Sequence, residues 1–172
     1  MQVPEQSHKQ QENSQPCRDP IVVTDEATFH RYCADWSQQQ AVGLDTEFMR
    51  TDTFFAKIGL LQVASETEIV LVDPLGVKDW QPFRDLLQAS DCTVVIHSGS
   101  EDLNLLLTHC DAMPAKLFDT QLAAAFLGRG FSNSYQSLCE KILEVHVEKG
   151  ETRSDWLRRP LSNKQLHYAA DD

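Results

Sequence analysis

The chain has 172 residues, of which 41% are hydrophobic and 24% are charged. This composition is ordinary for a globular domain that buries a full core, and no run of about 18 apolar residues is present that could cross a membrane. The N-terminus lacks the basic and apolar regions of a secretory signal, and the five cysteines form no C-x-x-C pair. We therefore expect a cytoplasmic protein with reduced thiols and no membrane partner, rather than a disulfide scaffold or a zinc protein.

The net charge of −11 restricts the classes of nucleic-acid partner. A passive nucleic-acid-binding module usually presents a basic surface to phosphate, so this class is disfavoured. A metal-dependent nuclease is not disfavoured in the same way. Its active site needs carboxylates, and the cations that they hold then attract phosphate.

The order of predicted elements indicates an α/β fold. Residues 1–19 are rich in glutamine and poor in apolar residues, which predicts a disordered tail before a folded domain over residues 20–172. Three strands in succession, and then alternating strands and helices, predict a mixed sheet flanked by helices. The predicted strands are 21–23, 41–47, 58–64, 69–73, 92–97 and 117–118. The predicted helices are one that Thr24 or Asp25 caps, with an apolar face over 29–36, and those at 80–87, 100–107, 122–127 and 138–145.

The last predicted helix has the clearest start signal. Ser162 and Gln165 form a capping box, and Leu161 with Leu166 forms a hydrophobic staple. The helix therefore carries His167 through Asp172, and the sequence stops after about one further turn. We expect from this that the sequence was cut from a longer protein.

Three groups of residues are candidates for metal chemistry. Asp45 and Glu47 alternate with apolar residues on one strand, so that both carboxylates leave the same face, where Gly43 leaves room for an approaching group. Asp102 lies in the first turn of the helix after a buried strand, with Glu101 as its solvated neighbour. Tyr168 and Asp172 share one face of the last helix.

Each of these groups taken alone has an ordinary interpretation. The strand pair could be solvated, the helix acid could simply favour the helix dipole, and the tyrosine could be a packing residue. Together they supply what two-metal phosphodiester hydrolysis requires, which is several carboxylates around two cations and a group that positions water. Oxygen ligands favour Mg²⁺ or Mn²⁺.

At these residues the sequence resembles a known family. Asp45-Thr46-Glu47-Phe48, the segment His97 to Leu103 and the segment Tyr168 to Asp172 resemble the three motifs of the DEDD superfamily of 3'→5' exonucleases, tyrosine subclass. Other segments resemble the ribonuclease D family within it, and the likeness extends from Ile21 to Asp172. These further segments are Ile58–Gln62, Asp73–Gly76, Asp119–Phe126, Arg153–Leu157 and Arg159–Leu161.

The resemblance implies a ribonuclease-H-like fold and the release of 5'-mononucleotides from RNA 3' ends, in the maturation of transfer RNA precursors and other small stable RNAs. It assigns Asp45, Glu47 and Asp172 to one metal, and Asp45 with Asp102 to the second. It assigns Tyr168 to the attacking water. The family's C-terminal helical domains are missing from this sequence.

Two departures leave alternatives at the last motif. Asp171 stands where the family commonly has alanine, and His167 has the spacing that the histidine subclass uses. Helical geometry favours Tyr168. A residue four positions before Asp172 lies about 40° from it around the helix axis, whereas a residue five positions before it lies about 140° away.

The candidate RNA contacts are less specific. They are Thr46, Phe48, His97, Arg153 and Arg159. His97 is better explained as a structural histidine at a strand end, and the two arginines as part of a solvated connection. Two other functions also stay open, namely a DNA exonuclease with the same metal chemistry and a catalytically inactive RNA-binding domain.

Overall fold

The structure is a computed structural model that describes residues 19–50, 55–147, 150–151 and 153–172. Apart from Asp19, the predicted N-terminal tail lies outside these residues. Six strands form one sheet in the order β1-β4-β3-β2-β5-β6. The pairs β2/β3 and β3/β4 are antiparallel, and the pairs β1/β4, β2/β5 and β5/β6 are parallel, which confirms the predicted mixed sheet. The strands are β1 Ile21–Val23, β2 Ala41–Met49, β3 Lys57–Ala64, β4 Ile69–Val72, β5 Thr93–Ile96 and β6 Leu117–Asp119.

Six α-helices flank this sheet within the described part of the chain, and most begin at a side-chain cap. Asp25, Asp119, Ser134 and Ser162 each accept a hydrogen bond from a backbone N–H of the first turn, as N-terminal caps do. None of the helices is long and apolar enough to cross a membrane. They are α1 Glu26–Trp36, α2 Gln81–Gln88, α3 Ser100–Cys110, α4 Thr120–Phe126, α5 Tyr135–Leu143 and α6 Asn163–Asp171, with a short 3₁₀ helix at Pro74–Gly76.

The two faces of the sheet are covered by different elements. The larger core joins Val42 and Leu44 of β2 to buried residues of α1, α2 and α3, among them Phe29 and Phe83. A smaller core on the opposite face consists of Leu60, Leu71, Trp156 and Ala169, with Tyr168 packed against it. The helix α6 contacts β4 on this second face. The alternation of side chains along β2 therefore sends successive residues into two separate environments.

Several predicted boundaries were wrong by a few residues. The helix predicted at 138–145 is α5 at Tyr135–Leu143, because Ser134 caps its start and Glu144 ends it in the left-handed conformation. The helix predicted at 122–127 begins earlier because Asp119 accepts from two backbone N–H groups. The strand predicted at 41–47 continues to Met49, where it remains paired with β3.

Candidate active site

Strand β2 places two carboxylates on the face of the sheet that α6 covers. Asp45 lies opposite Gln62 of β3, and Glu47 lies opposite Leu60. The register shifts immediately after Glu47, so that Phe48 pairs with Ile58 and Gly59 is passed over. A bulge of this kind bends a strand and redirects its side chains.

The start of α6 is fixed by the capping box that the sequence predicts. Ser162 accepts from the backbone N–H of Gln165, and the Gln165 side chain accepts from the backbone N–H of Ser162. Asp172 at the end of this helix then reaches β2. Carboxylate oxygens of Asp45, Glu47 and Asp172 all lie within 4.8 Å of one another.

The close approach of these carboxylates is unfavourable when they are charged. Burial and the neighbouring Asp102 and Asp172 raise the pKa of Asp45 to about 8. Burial and the neighbouring Asp45, Asp172 and Asp102 raise the pKa of Glu47 to about 9. None of the four ion pairs found among the described residues includes a member of this cluster. The charged state therefore needs a cation.

Asp102 lies beside this cluster rather than within it. Its side chain is buried at the start of α3, where it accepts a hydrogen bond from the hydroxyl of Thr46. Burial raises the pKa of Asp102, while the bond from Thr46 acts in the opposite direction. Glu101 is exposed and pairs with Arg50, which agrees with its interpretation as the solvated neighbour. The hydroxyl of Thr46 thus fixes the fourth carboxylate.

The structure distinguishes the two candidates for the water-positioning group. Tyr168 is partly buried in the smaller core, and its ring centroid lies 6.2 Å from that of Trp156. His167 is exposed on the outer side of α6. Tyr168 and Asp172 are one helical turn apart, and the backbone N–H of Asp172 donates to the carbonyl of Tyr168. This arrangement favours Tyr168 for the role.

The loop before α6 is anchored by a glycine and an arginine. A Cβ atom on Gly59 would lie 2.6 Å from the carbonyl oxygen of Trp156, so only glycine permits this approach. At Gly43, by contrast, a Cβ would make only an ordinary contact of 3.5 Å with Ala64. The anchor therefore depends on the bulge residue of β3.

Arg159 secures the same loop through all of its donors. Its guanidinium donates to both carboxylate oxygens of Asp73 and to the carbonyl oxygens of Gly59, Trp156 and Arg158. A guanidinium has five N–H groups, so none is left for phosphate. The side chain therefore acts as a structural clamp, and its predicted contact with RNA has no free donor to rest on.

Two other candidate RNA contacts are also occupied by the protein. The ring nitrogens of His97 lie 2.9 Å from the hydroxyl of Thr120 and 3.0 Å from the carbonyl of Asn133, which supports the structural interpretation. The Thr46 side chain is buried against Asp102. Phe48 packs, partly buried, against the larger core, and only Arg153 is fully exposed.

A cleft of about 490 Å³ opens beside the carboxylates. Its walls include Asp45, Asp172, His97 and two residues that the sequence did not suggest, Gln62 and Tyr135. Burial and a hydrogen bond with Cys139 raise the pKa of Tyr135, and the nearby Asp172 and Asp45 raise it further. Gln62 ends the family-like segment Ile58–Gln62, but neither residue belongs to a catalytic motif, and long-range pairing brings them to the site.

The donor set fits a divalent cation. Three carboxylates supply hard oxygen ligands at one point, as Mg²⁺ and Mn²⁺ prefer. The four cysteines among the described residues are all free and buried, and none belongs to this cluster. The cluster is therefore an oxygen-ligand site and not a thiolate site.

Comparison with known proteins agrees with this geometry. The family model described as "3'-5' exonuclease" matches residues 20–172. Ribonuclease D of Pseudomonas paraeruginosa is 47% identical over 150 residues, which cover 87% of this chain and 40% of that protein. Ribonuclease D of Escherichia coli is 40% identical over 152 residues, which cover 88% of this chain and 40% of that protein. The chain thus spans about two fifths of the length of these curated relatives.

A solved structure gives the same result for the fold. The crystal structure of Escherichia coli RNase D, described as an exoribonuclease involved in structured RNA processing, superposes with a TM-score of 0.85 at 38% identity. The match covers 88% of this chain and 40% of that one. The predicted ribonuclease-H-like fold of this enzyme class is thereby confirmed. Since the family model spans almost every described residue, the chain belongs to the 3'-5' exonuclease family and is similar to its ribonuclease D members.

Proposed function

We propose that this chain is the catalytic domain of a metal-dependent 3'→5' exoribonuclease that releases 5'-mononucleotides from RNA. The observation that carries this proposal is the cluster of Asp45, Glu47 and Asp172 in a chain of the 3'-5' exonuclease family. The ribonuclease D relatives support RNA as the substrate. The metal motifs by themselves would serve DNA equally, because they do not read the 2'-hydroxyl.

The four carboxylates divide between two sites in this proposal. Asp45, Glu47 and Asp172 would hold one cation, and Asp45 together with Asp102 would hold a second, which Asp102 would bind directly or through water. Mg²⁺ or Mn²⁺ would activate a water molecule and stabilise the leaving oxygen there. The bond from Thr46 to Asp102 supports this division, because it holds that carboxylate at the side of the cluster.

Tyr168 orients the attacking water through its hydroxyl group. Its ring packs against the smaller core from a position on α6, so that the phenol is placed by packing rather than by a flexible loop. A positioned proton-handling group of this kind contributes roughly 10²–10⁴-fold to a rate.

The cellular substrates that we propose are transfer RNA precursors and other small stable RNAs with a free 3' end. The support comes from the similarity to a relative that is described as processing structured RNA. We also propose a cytoplasmic location, which the free thiols of Cys33, Cys92, Cys110 and Cys139 support.

Digestion of a 3'-labelled RNA tests the proposal. With Mg²⁺ the protein should release labelled mononucleotide as the first product, and a chelator should stop the release. Asp45→Asn is the matched control, because it keeps the size of the side chain and removes the bridging charge.

Two outcomes would favour the rival functions. Faster degradation of the matched DNA than of the RNA would indicate a DNA exonuclease. Binding of RNA without any release of mononucleotide would indicate an inactive RNA-binding domain.

A further inference from the structure

Three buried polar atoms on the α6 side of the sheet have no hydrogen-bond partner among the described residues. They are the Oε1 and Nε2 atoms of Gln62 and the Nε1 atom of Trp156. An unsatisfied buried polar group costs about 1–3 kcal/mol, and native proteins contain few of them. Gln62 lies opposite Asp45 of the carboxylate cluster, and Trp156 belongs to the smaller core against which Tyr168 packs. Their cost therefore has an explanation in the function of the site.

Gln62 lies between Asp45 of the cluster and Leu71 of the smaller core. In the sheet register it is directly opposite Asp45 on one side and Leu71 on the other. Leu71 and Trp156 pack together in the smaller core. Directly opposite residues of a sheet have their Cβ atoms about 4.5–5.5 Å apart, so a glutamine side chain can reach the carboxylate of Asp45.

The amide of Gln62 is not available to a substrate. The residue lines the cleft, but it is only 5% exposed, and neither amide atom is accessible to solvent. A nucleotide in the cleft could not contact these atoms. The amide must therefore act on groups of the protein itself.

The three atoms are complementary in their hydrogen-bonding character. The indole Nε1–H of Trp156 can only donate, Oε1 of Gln62 can only accept, and Nε2 of Gln62 can only donate. Asp45 lies directly opposite Gln62 on the neighbouring strand β2, and its carboxylate is an acceptor. One consistent direction of donation therefore connects the three side chains.

We propose that Trp156, Gln62 and Asp45 form a hydrogen-bonded relay when a divalent cation binds. Trp156 donates to Oε1 of Gln62, and Nε2 of Gln62 donates to the carboxylate of Asp45. The relay fixes the amide and orients the bridging carboxylate toward the cation. It rests on the proposed function, and it makes Gln62 and Trp156 positioning residues, because neither contacts the cation or the substrate.

The relay predicts opposite effects of one substitution on stability and on metal binding. Gln62→Met keeps the approximate volume of the side chain and removes the unsatisfied amide. In the absence of metal, the protein should be as stable as the wild type or more so, because apolar atoms replace an unpaired polar group. The Kd for Mn²⁺ should nevertheless rise by roughly 10–100-fold, as is typical when the partner of a metal ligand is lost.

The test measures Mn²⁺ binding by calorimetry on the whole chain, without RNA, and thermal unfolding without metal. Leu71→Met is the matched control, since it is a volume-conserving change on the other side of Gln62 and should leave Kd unchanged. An unchanged Kd in Gln62→Met would overturn the relay, whether or not that variant is less stable. If Asp45→Asn binds Mn²⁺ as tightly as the wild type, the metal site itself fails, and this result is distinct from failure of the relay.

A second measurement follows the indole group directly. In ¹H–¹⁵N spectra, Trp156→Phe identifies the Nε1–H signal of Trp156 by its disappearance. Addition of Mg²⁺ to the wild type should move this signal downfield as the hydrogen bond forms, and in Gln62→Met it should not move. A signal that does not respond to Mg²⁺ in the wild type, or that responds equally in both proteins, would overturn the relay.

Discussion

The two faces of β2 satisfy their side chains in opposite ways. On the face toward α1, α2 and α3, Val42 and Leu44 are almost fully buried among apolar side chains, and Thr46 donates to Asp102. On the face toward α6, Asp45 and Glu47 lie within reach of a third carboxylate with no cationic partner among the described residues. One strand of nine residues thus contributes to a core and to an active site.

This difference separates stability from function along a single strand. On the side with Leu44, buried side chains are apolar, as in an ordinary core. On the side with Asp45, carboxylates of like charge lie close together, and the buried amide of the neighbouring Gln62 has no hydrogen-bond partner. Local rules are typically broken where function requires it. Neighbouring substitutions on the two faces should therefore change different properties.

The largest expected effect comes from a pair of adjacent variants. Asp45→Asn should abolish nuclease activity and leave the free energy of unfolding without metal unchanged or higher, because it relieves carboxylate repulsion. Leu44→Ala should destabilise the protein by about 2–5 kcal/mol through the cavity that it creates. Activity assays at a temperature where both are folded, together with chemical denaturation, measure the two effects. An active Asp45→Asn protein would contradict the two-metal assignment.

The next largest effect distinguishes the two candidate groups on α6. Tyr168→Phe keeps the ring packing and removes only the hydroxyl, so kcat should fall by roughly 10²–10⁴-fold while Mn²⁺ binding is retained. His167→Ala, on the exposed side of the helix, should cost little. Single-turnover rates on the same RNA measure both variants. If His167→Ala is the damaging change and Tyr168→Phe is mild, the chain follows the histidine subclass instead.

Metal should stabilise the folded domain by mass action, because the cluster exists as a site only in the folded state. At a metal concentration about ten times Kd, the gain is about 1.4 kcal/mol. For a domain of this size it corresponds to a rise in Tm of roughly 3–6 °C. Asp45→Asn should reduce the rise in a thermal scan with Mg²⁺ or Mn²⁺. Equal shifts in the two proteins would indicate a general ionic effect.

The last expected effect is the dependence of metal-free stability on pH. The pKa values of Asp45 and Glu47 are raised to about 8 and about 9 in the folded state, above about 4 in the unfolded chain. The folded state therefore binds more protons than the unfolded state between these values. The stabilisation is fully present below about pH 4 and is lost as the pH rises through the folded values.

Denaturant titrations between pH 6 and 9 in the presence of chelator measure this loss. The free energy of unfolding should fall as the pH rises, and it should fall less steeply in Asp45→Asn than in the wild type. A flat or rising profile in the wild type would show that the cluster is already neutralised by another group.

The sequence was sufficient for the parts of the fold that local patterns determine. The alternation along β2 predicted that Asp45 and Glu47 share a face, and the capping box predicted the start of α6. The errors at α4 and α5 arose because Asp119 and Ser134 were not recognised as caps. Capping by one side chain is a local signal, and a closer search for it would have found both.

The remaining features depend on contacts between distant parts of the chain. Arg159 was predicted to contact RNA because it belongs to a cluster of basic residues just before the catalytic helix. Its five acceptors, however, come from several segments of the chain. Gln62 becomes a neighbour of Asp45 only through the register of β2 and β3. Tyr135 reaches the cleft from α5. Periodicity within one segment carries no information on such pairings.

The central claim is that the α6 face of β2 holds two divalent cations. A crystal of this chain grown with Mn²⁺, with diffraction recorded near the manganese absorption edge, tests it most directly. The account predicts two anomalous peaks about 3.5–4 Å apart, one between Asp45, Glu47 and Asp172 and the other between Asp45 and Asp102. Manganese peaks only elsewhere on this acidic protein, or none at the cluster, would contradict it.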